Sequence, residues 1–107
     1  MAGFTTLYSG SSGNCAVVEE NGAYLLVDMG KSCKQTLAAL KQVGLEPDGL
    51  QGILVTHEHS DHISGLSVFL KKYPVPVYAY GESLHFLRRQ GFVPETVPCI
   101  DVRNKSL

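Results

Sequence analysis

Apolar positions along this chain change their period near residue 30. Before it they form short runs: FTTLYS, CAVVEE and AYLLVD are rich in β-branched, aromatic and aliphatic residues, and the glycine-bearing turns SGSSGN and NG separate them. Such runs predict strands. The Asn21-Gly22 pair between Val17-Val18 and Leu25-Leu26 predicts a two-residue hairpin turn, because both positions tolerate φ > 0. From Lys31 onward, Cys33, Leu37 and Leu40 recur at helical spacing, and Gly44 supplies a stop before Pro47. GILVT (Gly52 to Thr56) is short and continuously apolar, the pattern of a strand buried on both faces. Ile63, Leu66, Leu70 and Tyr73 make a second helical stripe that ends at Pro74. Val75 to Tyr80 predicts another buried strand, ESLHFLRRQG a third helix stopping at Gly91, and residues 92–107 begin one more short strand. The order, hairpin strands and then helix–strand–helix–strand–helix, is a mixed α/β pattern around a largely buried sheet. A sheet this apolar needs a second covering layer, which the 107 residues are not expected to supply.

Composition narrows the class. The length is that of one small domain with a modest core. Hydrophobic residues make up 44% and charged residues 18%, which excludes a disordered or fibrous chain. A net charge of −1 without blocks of like charge gives no global field toward nucleic acid or membrane, while local phosphate binding stays open. No stretch approaches the roughly 18 apolar residues of a membrane span, and MAGFTTLYSGSSG lacks the basic start and apolar run of a signal peptide. Cys15, Cys33 and Cys99 are odd in number and widely spaced, without C-x-x-C, so reduced thiols and a cytoplasmic location are expected.

Chemistry concentrates in ILVTHEHSDHISGL, where three of the four histidines and an aspartate fall within residues 57–62. The cluster follows a predicted buried strand and precedes a helix, the strand end at which open α/β sheets place ligands. In extended backbone His57 and His59 point to one side and can reach one ion at about 2.0–2.1 Å. Asp61 and His62 follow the turn toward the helix and suit a second ion. Imidazole and carboxylate without thiolate favour zinc, with manganese or iron as alternatives. Two such ions about 3.5–4 Å apart can activate a shared water and clamp a phosphoryl or carbonyl oxygen. A catalytic zinc usually takes three protein ligands, however, so these four residues make half of a binuclear site. The bland alternative, an exposed histidine-rich turn, fits the density of ligands poorly.

H-x-H-x-D-H after a hydrophobic strand resembles the signature of the metallo-β-lactamase-fold hydrolases, matched by His57, His59, Asp61 and His62. LLVDMG is similar to an earlier motif of that superfamily, whose aspartate, here Asp28, orients the ligand loop from beneath the metal site. LYSGSSGNCAVVE, VDMG and THEHSDHISGL together resemble the YycJ/WalJ-type group of bacterial cytosolic exonucleases. The resemblance implies an αββα sandwich of two sheet-plus-helix halves, of which residues 1–107 are the N-terminal half, a partial domain. It implies two Zn²⁺ per complete site, with a downstream histidine, a bridging aspartate and a further histidine that this chain does not carry. It also implies hydrolysis of DNA phosphodiesters in the 5′-to-3′ direction, with Asp61 holding an ion and orienting or deprotonating the water. Two rivals stand beside this expectation. One is a non-catalytic zinc-binding module or truncated pseudo-enzyme; the other is an RNA-processing or thioester/lactone hydrolase of the same fold.

Weaker signals remain. The SGSSGN loop could offer N–H and hydroxyl groups to a phosphate, although it is not a P-loop. Lys71-Lys72 and Arg88-Arg89 read as solvated helix faces, Glu58 as a supporting residue, and His85 as a surface or structural histidine. Half a sandwich on its own is expected to aggregate or to form a homodimer through the exposed sheet.

Overall fold

The computed structural model describes residues 3–8, 14–56, 63 and 65–102. Among them six strands form one sheet in sequence order: β1 (Gly3–Tyr8), β2 (Cys15–Glu20), β3 (Ala23–Val27), β4 (Leu50–Leu54), β5 (Val77–Ala79) and β6 (Cys99–Asp101). The first three are antiparallel, and β3 to β6 run parallel. Helices α1 (Cys33–Gln42), α2 (Leu66–Lys72) and α3 (Gly81–Arg89) carry the crossovers between successive parallel strands. Crossovers of one hand that always step the same way across a sheet deposit their helices on the same face.

Local chemistry accounts for the boundaries. Asn21 and Gly22 both take positive φ, 54° and 85°, and turn β2 directly into β3 with Glu20 opposite Ala23. Ser32 caps α1: its hydroxyl accepts from the Gln35 N–H at 3.1 Å while the Gln35 side chain accepts from the Ser32 N–H at 3.4 Å. That reciprocal pair satisfies two amides that would otherwise lack helical partners. Gly44 (φ 79°) and Gly91 (φ 81°) follow α1 and α3 in the left-handed region, the stops their sequence positions suggest.

Register explains burial. Val17, Leu26, Ile53 and Val77 are paired neighbours in one row across four strands, and each is fully buried. Leu40, Leu66, Phe69, Leu70 and Leu87 from the three helices join that row in a single core, with Met29 and Ile63. One residue over, Ala16, Val27, Leu54, Tyr78 and Ile100 form the row on the opposite face, and all are only half-buried. The expectation of strands buried on both faces is therefore corrected for β4 and β5, because helices cover just one side. Regular β5 is also shorter than Val75 to Tyr80, and Tyr80 is exposed. The mixed α/β order of strands and helices is as the hydrophobic pattern predicts.

Candidate metal centre

β3 and β4 lie parallel with Val27 opposite Leu54, so the residues following them, Asp28 and Val55-Thr56, leave the sheet side by side. The Asp28 N–H donates to the Leu54 carbonyl at 2.7 Å and the Val55 N–H to the Tyr78 carbonyl at 2.8 Å, which extends the ladder past the regular strands. Asp28 then takes φ 64° in a buried position. Left-handed backbone is uncommon for a residue with a side chain, though aspartate tolerates it better than most. The carboxylate holds the conformation: Oδ1 accepts from the Thr56 N–H at 2.7 Å and Oδ2 from the Thr56 hydroxyl at 2.6 Å. Both donors belong to the residue immediately before His57.

The segment after Asp28 meets two other parts of the same end of the sheet. Gly30 N–H donates to the Asn14 carbonyl at 2.9 Å, where the chain enters β2. Gly65 N–H donates to the Met29 carbonyl at 3.0 Å, just before α2. Tyr8, the last residue of β1, donates its hydroxyl to the Gln35 carbonyl at 3.0 Å and lies under the Lys31 ammonium, 4.9 Å from its ring centre. That distance is within reach of a cation–π attraction. Residues 28–31 are thus a hub against which the chain before 9–13, before 57 and after 64 is seated. A hollow of about 240 Å³ opens next to it between Asn14, Ala16, Val27 and Asp28.

Of the sequence-predicted site residues, Asp28 is described and stands at the centre of this hub. His57, His59, Asp61 and His62 lie outside the described residues, as do Glu58 and residues 9–13 of the SGSSGN loop. His85 is exposed on α3. Lys71, Lys72 and Arg89 are exposed as expected, but Arg88 also donates to the Val97 carbonyl at 2.7 Å and so ties α3 to the approach to β6. Among the described residues no three His, Cys, Asp or Glu side chains gather where they could share an ion. The ligand candidates of this chain therefore remain those within residues 57–62, and their donor set, imidazole plus carboxylate, suits a divalent metal such as zinc. The seat prepared for that segment, a buried carboxylate gripping the residue before it, fits the same group. Cys15 beside the hub is buried, and burial, followed by the Asp28 charge, pushes its thiol up to about 12.

Sequence reading missed Thr56, Gly65 and Tyr8. Thr56 was legible in principle, since a buried Asp that ends one parallel strand needs donors from the neighbouring strand's end. Gly65 and Tyr8 carry no such signal, because their contacts depend on how α2 and α1 approach the hub.

Comparison with known proteins bears on the family and the fold. Residues 8–102 match the metallo-beta-lactamase superfamily. Over 76 residues the chain is 54% identical to exodeoxyribonuclease YycJ of Bacillus anthracis, covering 71% of this chain and 29% of that protein. Over an equal length it is 45% identical to exodeoxyribonuclease WalJ of Streptococcus pneumoniae, covering 28% of it. The chain thus spans under a third of the length of these relatives. The metallo-beta-lactamase SMB-1 superposes with a TM-score of 0.66 at 24% identity, over 87% of this chain and 39% of its own, a likeness of fold alone. From the profile match over most of its length, this chain belongs to the metallo-beta-lactamase superfamily.

Proposed function

We propose that this chain is the ligand-bearing part of a metal-dependent hydrolase that cleaves phosphodiesters in DNA. The observation that supports the reading is the grip of Asp28 on Thr56, the residue before the H-x-H-x-D-H segment, at the C-terminal end of parallel strands. His57, His59, Asp61 and His62 would hold the metal, two zinc ions in a complete site with manganese or iron as alternatives. When bound, such a centre supplies Lewis-acid stabilisation of charge developing on a phosphoryl oxygen and makes water a better nucleophile. Asp61 orients the attacking water or takes its proton. Asp28 contributes by fixing where the ligand segment begins. Preference for DNA rests on similarity to the YycJ and WalJ exodeoxyribonucleases, and preference for a cytoplasmic protein on the three free, widely spaced cysteines. In this reading residues 1–107 are one partial domain of a sandwich whose remaining ligands come from elsewhere.

A second reading is favoured by the ligand count. Four ligand candidates are too few for two catalytic ions, and the described residues add no cluster. Taken alone the chain would then be a zinc-binding module without turnover. Metal content and hydrolysis of 5′-phosphorylated duplex DNA by the full-length protein separate the two. The hydrolase reading expects about two ions and products released from the 5′ end, both lost in His57→Ala and His59→Ala. One weakly held ion and intact DNA would leave the module as the better account. Cleavage of RNA, thioesters or lactones in place of DNA would keep the metal centre and change the substrate class.

A further inference from the structure

Resting on the assignment of residues 57–62 as metal ligands, we infer that Gly65 is a positioning residue for that centre. It ties the chain beyond the ligand segment to the hub that Asp28 ties to the residue before that segment. Three observations lead there. First, the two anchors meet one short stretch of backbone: Thr56 is held by Asp28 at 2.6 and 2.7 Å, and Gly65 N–H is held by the Met29 carbonyl at 3.0 Å. Thr56 and Gly65, which flank residues 57–64, are therefore tied to adjacent residues, 28 and 29, both buried. Second, the backbone of Gly65 is unexceptional, with φ −93° and ψ −2°, so its torsions do not call for glycine. The requirement is space. A Cβ at Gly65 would run into the Lys31 carbonyl oxygen, with Lys31 C at 3.0 Å and Ser32 C at 3.2 Å behind it.

Third, the obstacle is backbone, which cannot rotate aside as a side chain does. Gly52 offers a contrast: its added Cβ would meet chiefly the Tyr78 ring at 2.7 Å, a movable neighbour. Any side chain at residue 65 must instead push the start of α2 away from residues 29–32 and stretch the Met29–Gly65 bond. With Thr56 still held by Asp28 and Gly65 released, the separation of these two residues is no longer fixed. Metal ligands need placement to within a fraction of an ångström, and groups that orient them typically change metal affinity by about 10–100-fold.

The test uses the full-length protein with Zn²⁺ and Co²⁺. Affinity for Zn²⁺ is read by competition with a chromophoric chelator, and ligand geometry from the visible absorption of the Co²⁺ form, in wild type, Gly65→Ala, Thr56→Val, their double variant and His57→Ala. Gly65→Ala is expected to keep the wild-type far-UV circular dichroism, to bind Zn²⁺ at least tenfold more weakly and to shift the Co²⁺ bands. The double variant should lose less than the product of the single losses, since both act on one segment. Gly65→Ala with wild-type affinity and spectrum, while His57→Ala has lost the metal, overturns the role of Gly65 and leaves the centre standing. Metal retained by His57→Ala overturns the ligand assignment itself. Should Gly65→Ala fail to fold, hydrogen exchange of the wild-type Gly65 amide decides. Its protection is expected to rise at least tenfold on adding Zn²⁺, and an unchanged rate sinks the inference.

Discussion

Two neighbouring rows of the same sheet have opposite fates. Val17, Leu26, Ile53 and Val77 are shut away beneath three helices, whereas Ala16, Val27, Leu54, Tyr78 and Ile100, one residue along each strand, are half open. Both rows are apolar. Composition cannot account for the difference; crossover geometry does, because same-handed steps stack every helix on one side. The first row shows what the chain stabilises by itself, and the second what it leaves for another layer.

The sharpest way to break this contrast is to truncate adjacent residues of β4. Ile53→Ala removes a fully buried side chain and is expected to cost about 2–5 kcal/mol in urea denaturation. Leu54→Ala, half-buried, should cost less than half as much in the 107-residue chain. In a longer protein whose further residues cover the open face, the two costs should converge. Equal costs in the short chain would mean that the second row is not open.

Gly52→Ala probes the open face from the neighbouring row, where Gly52 lies opposite Leu25. The new methyl would meet the Tyr78 ring and the Pro76 carbonyl, and overpacking of this kind costs about 1–3 kcal/mol. If the ring is the main obstacle, Tyr78→Ala made together with it should recover part of that loss. Strict additivity of the two would place the strain in the Pro76 backbone instead.

These rows also show what the sequence could and could not reveal. Elements with local causes were legible: Asn21-Gly22, Gly44 and Gly91 act through their own torsions, and the helix stripes through their own spacing. Runs such as VPVYAY report that a strand is apolar on both sides. They cannot report that a layer covers only one of them, since that depends on where distant helices land. The same limit applies at the candidate centre. H-x-H-x-D-H stands out by its density of ligand types, and Asp28 through the resemblance of LLVDMG to a superfamily motif. The Asp28–Thr56 bonds depend on the register of Val27 against Leu54, and the closeness of Gly65 to Lys31 on the seating of α2. The first could be anticipated only once that register was known, and the second leaves no trace in the linear pattern.

On the covered side, burial also governs acid–base behaviour. It pushes the Tyr24 hydroxyl up to about 12 from an ordinary 10.0, helped by Tyr73, Glu46 and Asp48, and the Cys15 thiol to about 12 from 9.0, helped by Asp28. Below pH 9 both groups are neutral folded and unfolded, and their full contribution is present. Between pH 9 and 12 the unfolded chain gives up protons that the folded chain keeps, so stability falls as pH rises. Urea midpoints should be flat up to pH 9 and decline beyond it, and Tyr24→Phe should flatten the part of the decline above pH 10. At neutral pH the same substitution removes the 2.9 Å bond from the Tyr24 hydroxyl to the Glu46 carbonyl and should cost about 0.5–1.5 kcal/mol. An alkaline decline unchanged in both Tyr24→Phe and Cys15→Ala would show that other groups set it.

The smallest expected change in stability lies at the far edge of the open face, and it has the clearest consequence for association. Phe4 is 68% exposed and pairs with Val18, itself 36% exposed, so their side chains project from the uncovered side next to Leu25. Replacing exposed residues rarely moves stability by more than about 0.5 kcal/mol. Phe4→Ser and Val18→Thr should therefore leave the urea midpoint almost unchanged. Their effect should appear in sedimentation of the 107-residue chain at rising concentration. The wild type is expected to associate through a contiguous apolar sheet face bounded by the β1 edge, and the variants to remain monomeric to higher concentration. A wild-type chain that stays monomeric throughout would mean that half-burial of Leu54, Tyr78 and Ile100 already shields the face. The contrast between the two rows would then be one of degree, with no second layer required.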